Sequence, residues 1–206
     1  MQNIEKIYDE FYEIDVENHF EIVKFYEKNQ LILDNKSNFI DFEEFNEHIL
    51  ILTKYIIGLE NLGRYTKTIQ YAEKNISLIE NNIDKFSVPL SDFNSYWSTL
   101  TSKGRAHYNN KEYKISTEIF EKLCEWDNEN DHLKQWLEAS KKGKRNSLNK
   151  YFYLTAFVLI FGELAFSDGF LSKEIKLMML KVGFLFLLVA LVNEYFWDKI
   201  IKWTKK

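Results

Sequence analysis

One cysteine, one proline and seven glycines are all that 206 residues contain of these three types. The lone thiol, Cys124, excludes an intramolecular disulfide and any multi-cysteine zinc or iron–sulfur site. So little proline and glycine disfavours turn-rich β architecture and predicts long helices. Catalytic signatures are missing too: no HExxH, GxSxG, GxxxxGKS/T, GxGxxG or EF-hand spacing occurs, and His19, His48, His107 and His132 are scattered. Glu10 with Glu13, and Glu43, Glu44 and Glu47, put carboxylates on one helix face, and Glu44 with His48 has the i,i+4 spacing of a metal pair. The remaining ligands of a zinc or di-iron site are absent, so these read as solvated acidic faces. No catalytic residue, metal or cofactor is expected, and the chain reads as a non-enzyme.

Charge divides the chain. Residues 1–140 hold 26 acidic and 15 basic side chains, net -11, whereas residues 141–206 hold 5 acidic and 12 basic, net +7. The acidic front half repels phosphate backbones, so nucleic acid is not an expected partner. In the rear half the basic residues flank apolar runs, a pattern that points to a lipid bilayer.

Tyr151 to Phe166 contains one charge, Glu163, and Leu177 to Val192 contains one, Lys181. Extended by flanking apolar residues, the two runs predict transmembrane helices at about 148–170 and 175–197, joined by a short turn. They stand too late in the chain to be a signal peptide. In an antiparallel hairpin, residues whose numbers have a constant sum lie at one depth; Asp168 with Lys176, Glu163 with Lys181, and Lys150 with Glu194 all add to 344. Glu163 and Lys181 are therefore the candidate intramembrane charge pair, either bonded within the hairpin or lining an ion path. Lys141, Lys142, Lys144, Arg145 and Lys150 precede the first run and Lys199, Lys202, Lys205 and Lys206 follow the second, against Lys173 and Lys176 between them. This asymmetry predicts an integral membrane protein with both termini cytoplasmic, and Tyr151–Tyr153 and Tyr195–Trp197 then form an aromatic belt at one interface.

Apolar spacing of three and four predicts helices at about 3–14, 17–33, 42–62, 65–80, 92–110, 112–126 and 131–142. Asp41 with Glu44 reads as a capping box, Ser91 as the start of another helix, and Asn130 or Asp131 as the start of the last. Glu27-Lys28-Asn29, Glu73-Lys74-Asn75 and Glu121-Lys122-Leu123 recur on the second helix of each of three successive pairs. Leu100, Gly104, Ala106, Tyr113 and Phe120 stand at the spacings of the tetratricopeptide repeat (TPR), and residues 97–130 resemble one. Residues 49–82, with Leu52, Gly58, Gly63, Tyr65, Ile69 and Ala72, resemble a second, and residues 1–34 a degenerate third. His107, Ser116, Thr68 and Asn128 depart from the pattern. The predicted architecture is all-α: a short TPR-like array of helical hairpins over 1–142, closed by a helix at 131–142, then a basic linker and a two-helix transmembrane hairpin over 143–206.

The resemblance implies a groove lined by the first helix of each repeat, here Thr53, Ile57, Glu60, Asn61, Thr101, Arg105, Tyr108 and Asn109, that takes a protein or peptide partner. Thr53 and Ile57 stand where some members carry the Lys and Asn that clamp a C-terminal carboxylate, which argues against chaperone-tail binding. The expected function is a membrane-anchored cytoplasmic scaffold. The alternative is a membrane effector whose hairpins oligomerise into a pore or channel controlled by the helical domain; homo-oligomerisation is left open in both.

Overall fold

Helix is the regular structure throughout the residues that the computed structural model describes, which are 4–15, 17–165 and 172–196, the side chains of 163–165 excepted. In chain order they form α1 (Ile4–Tyr12), α2 (His19–Asn35), α3 (Phe42–Asn61), α4 (Tyr65–Asn82), α5 (Asn94–Asn109), α6 (Tyr113–Trp126), α7 (Asp131–Ala165) and α8 (Lys173–Leu191). Two 3-10 turns, Ile83–Phe86 and Leu90–Asp92, lie between α4 and α5, and a π-helical turn, Val192–Phe196, follows α8. Contacts divide the chain into two units, Met1–Ser140 and Lys141–Lys206, and α7 contributes residues to both.

Local chemistry explains the helix starts. Asp41 Oδ1 accepts the amide of Glu44 at 2.9 Å, and Glu44 Oε2 accepts the amide of Ile40 at 2.7 Å, so α3 opens with a reciprocal cap. Lys36 ties down the other Glu44 oxygen. Asn130 Oδ1 takes the amides of His132 and Leu133 at 3.2 and 3.3 Å and starts α7. Ser91 does not cap α5. The chain spends Leu90–Asp92 in a 3-10 turn, so α5 begins after Phe93, and the Ser91 hydroxyl donates to Asp92 Oδ1 at 3.0 Å.

The first unit contains the same turn twice, 48 residues apart. Between α3 and α4, Leu62, Gly63 and Arg64 donate their amides to Gly58, Glu60 and Leu59 carbonyls at 3.0, 2.9 and 2.9 Å. Between α5 and α6, Asn110, Lys111 and Glu112 donate to Ala106, Tyr108 and His107 at 3.0, 2.9 and 2.9 Å. Asn61 Nδ2 bonds the Ile57 carbonyl and Asn109 Nδ2 the Arg105 carbonyl, again at matching positions. The central residue has φ 71° at Gly63 and φ 65° at Lys111. Glycine occupies this left-handed conformation without penalty and lysine does not.

Packing follows the hairpin order, α2 on α3, α3 on α4, α4 on α5 and α5 on α6, and α3 also meets α5. One core cluster gathers Phe11, Ile22, Tyr26, Leu52 and Tyr55; Tyr26 stacks flat on Tyr55 with ring centres 3.9 Å apart. A second gathers Phe45, Ile79, Tyr96, Phe120 and Leu133, with Trp136 and Leu137 packed against it. Gly104 lets α6 approach α5: a Cβ there would stand 2.9 Å from the Phe120 ring. Trp136 lies parallel to Phe120 at 5.9 Å, and Ser140 shares a 2.7 Å hydrogen bond with Ser116, so the first turns of α7 cover α5 and α6.

Residues 143–147, expected as a linker, are helical, and α7 runs unbroken from Asp131 to Ala165. The segment has no proline, Lys144 and Arg145 are good helix formers, and the single Gly143 costs only about 1 kcal/mol, so nothing in it stops propagation. Within the second unit the contacts of α7 and α8 run antiparallel. Asn193 Nδ2 donates to Asn149 Oδ1 at 2.6 Å, Phe152 stacks on Phe186 at 5.9 Å, and Gly162 faces Met179. The aromatic and apolar faces turned away from this contact are exposed: Phe157 57%, Met178 66%, Phe184 59% and Leu188 59%. The 24 residues Lys173–Phe196 form a helix long and apolar enough to cross a membrane. The first expected span is described only as far as Ala165. Asp168, the Glu163 side chain, Trp197 and the basic tail lie outside the described residues. Glu194, matched by number to Lys150, accepts a 2.5 Å hydrogen bond from the Tyr153 hydroxyl instead. Lys181 is exposed on α8.

Candidate functional site

Spacing on α5 decides what the first unit presents. Trp97, Thr101 and Arg105 follow at i, i+4 and i+8, and Ser98 and Ser102 stand beside them, so one stripe of the helix carries an indole, three hydroxyls and a guanidinium. With Ile57 of α3 and Asn130 and Leu133 at the start of α7 they line an open cavity of about 240 Å³. The floor is mixed: apolar at Ile57 and Leu133, hydrogen-bonding at the hydroxyls and Asn130.

Glu60 sits beside the cavity and is nearly buried. Arg105 clamps it with two contacts, Nε to Oε1 at 2.9 Å and Nη2 to Oε2 at 2.9 Å. Burial pushes the Glu60 carboxyl up from its ordinary range, and the guanidinium of Arg105 and the hydroxyl of Ser102 pull it back. The Arg105 guanidinium also lies 5.9 Å from the Trp136 ring. A pair of this kind is costly to break, because removal of either partner leaves the other charge out of water. It holds α3 to α5 and fixes Arg105 at the cavity wall.

Of the eight residues expected to line a groove, Ile57, Thr101 and Arg105 meet at the cavity, and Glu60 joins through Arg105. Thr53 is interior, at 4% exposure. Its hydroxyl lies 3.4 Å from that of Thr99 and accepts from Asn75 Nδ2 at 3.0 Å, because α5 packs over this part of α3. Asn61 and Asn109 are exposed and bond back to their own helices. Tyr108 packs edge-on against Tyr113 and Trp136, at 5.4 and 5.5 Å. Trp97 and Ser98, one turn before Thr101, and Ser102, directly after it, were legible from the same stripe of α5. Asn130 and Leu133 were not, since their place depends on how α7 folds back.

His48 and Tyr8 share a buried 3.2 Å hydrogen bond away from the cavity, and burial pulls the imidazole down to about 4. His107 Nδ1 lies 2.6 Å from Glu112. Among the described residues no three His, Cys, Asp or Glu side chains gather as a metal site. No protein-family model, curated protein or solved structure matches the chain.

Proposed function

We propose that this protein is a membrane-anchored scaffold whose TPR-like helical unit holds a protein or peptide partner at the cavity of Ile57, Thr101 and Arg105. The observation that carries the reading is the cavity itself. It stands on the first helices of two successive hairpins, and its mixed lining suits an extended chain that offers one apolar side chain and backbone amides. Support for the repeat likeness comes from the duplicated turn 48 residues apart. The antiparallel contact of α7 and α8 and their exposed apolar faces support a two-span hairpin, with the first unit cytoplasmic. A photo-cross-linking side chain at Thr101 of the full-length protein in cells tests this. A discrete adduct is expected that Trp97→Ala abolishes. The same adducts from exposed Glu118 on α6, or none from either position, would overturn it.

A second reading is kept by Lys181. An exposed ammonium within the candidate span of α8 is costly in hydrocarbon and is accommodated where it faces water. In that reading several hairpins assemble into a pore. Ion current across vesicles carrying purified protein, lost in Lys181→Leu, is its expected signature; tight vesicles exclude it.

A further inference from the structure

We infer that residues 141–150 of α7 form a collar that selects anionic lipid headgroups, an inference that rests on the hairpin reading above. Five cations and no carboxylate occur in these ten residues: Lys141, Lys142, Lys144, Arg145 and Lys150. The continuity of α7 gives them a defined arrangement that a flexible linker would not. Lys141, Lys142, Lys144 and Lys150 are exposed, whereas Arg145 is half-buried.

Their directions around the helix decide the kind of surface they serve. At about 100° per residue the four exposed lysines stand near 0°, 100°, 300° and 180°, spread around the axis. A helix lying on a membrane concentrates cations on one polar face opposite an apolar one. A grip on a nucleic-acid backbone needs a one-sided patch as well. Cations on all sides fit a helix that passes through a headgroup layer, where anions surround it.

Depth agrees with direction. Lys150 falls between Leu148 and Tyr151, the first exposed apolar and aromatic residues of this stretch, so it stands at the edge of the hydrocarbon. Lys141 lies nine residues earlier, roughly 13 Å along the helix. One polar layer of a bilayer is about 5–8 Å thick and the screening length is about 8 Å, so the field of anionic headgroups reaches the whole collar. On the neighbouring helix the acid at this level, Glu194, is held by the Tyr153 hydroxyl. That one carboxylate stands against five cations, so the collar as a whole is positive.

The test uses the full-length protein in phosphatidylcholine vesicles with and without phosphatidylserine, and weighs the lipids retained after limiting detergent extraction. Phosphatidylserine should be enriched about five- to tenfold over its share of the vesicle. The quadruple variant K141Q/K142Q/K144Q/K150Q should bring the ratio close to one, and the doubles K141Q/K142Q and K144Q/K150Q should fall between. An equal ratio in the native protein, or an unchanged one in all three variants, overturns the collar. Displacement of the lipid by soluble glycerophosphoserine would assign the cations to a free phosphate ester and also overturn it. Alkaline carbonate on pure phosphatidylcholine vesicles tests the hairpin separately: retention without serine-lipid enrichment defeats the collar alone, and release defeats the hairpin together with it.

Discussion

Two residues test the same turn in opposite directions. Gly63 and Lys111 occupy one left-handed position in two copies of a turn whose hydrogen bonds agree within 0.1 Å. A side chain in that conformation costs about 1 kcal/mol. Lys111→Gly should therefore raise stability by about 0.5–1 kcal/mol and Gly63→Lys should lower it by about 1 kcal/mol, read by urea unfolding in mild detergent. Shifts of one sign in both variants would mean that contacts outside the turn set the balance. His48 gives a pH dependence. Its imidazole, 1% exposed, titrates near 4 in the fold against an ordinary 6.5, mainly because burial disfavours the charged form; Lys36 and Lys74 add to this, and Glu44 and Asp34 oppose it. As pH falls from 6.5 the unfolded chain takes up a proton that the fold refuses. The stability present above 6.5 is thus lost toward pH 4, with a slope approaching about 1.4 kcal/mol per pH unit. Asp34 and Glu44 are held below their ordinary values by Lys74 and Lys36, so their own losses come at the acid end. A flat profile between pH 6.5 and 5, or an unchanged slope in His48→Gln, would contradict the assignment.

At the scale of elements, α7 and α8 owe their approach to Gly183. A Cβ there would lie 2.8 Å from Ile160 Cγ1 and 3.3 Å from Leu159 Cβ, on the facing helix, whereas a Cβ on Gly162 would meet only Met179 Cε at 3.7 Å. Gly183→Ala should lower the thermal midpoint in detergent by the equivalent of about 1–2 kcal/mol, and Gly162→Ala should change it by less than about 0.5 kcal/mol. Equal effects would show that the glycine is not what spaces the helices. Helices of the first unit were legible because each carries an apolar stripe bounded by a turn or a side-chain cap. The expected 42–62 is α3 at Phe42–Asn61, and 65–80 is α4 at Tyr65–Asn82. What periodicity could not show was a helix stop. Apolar spacing lapses at 143–147, yet an amphipathic face is a signal of burial, and a helix continues through solvent wherever its residues favour it. The cavity lining was half legible for a related reason. Thr101 and Arg105 follow from the repeat spacing, and so does Ile57, the counterpart of Arg105 48 residues earlier, but Thr53, the counterpart of Thr101, is buried where α5 packs over α3.

For the whole molecule, the division of charge and the exposed apolar faces lead to one expectation about the membrane. The front half carries net -11, and in the proposed hairpin the basic flanks of the apolar segments fall on one side. Returning an acidic unit to water on the side of the nine flanking lysines and arginines satisfies the charge asymmetry, and the opposite arrangement violates it. Side chains such as Phe157, Met178 and Phe184, each more than half exposed, gain about 1 kcal/mol apiece from hydrocarbon. Two spans gain far more than a helix lying on the surface, which buries one face only. Full-length protein should therefore remain in the pellet after alkaline carbonate, and residues 1–140 should be cut only by protease supplied from the cytoplasmic side. Release into the carbonate supernatant would place both helices outside the bilayer, and cleavage of the front half from the opposite side would reverse the orientation.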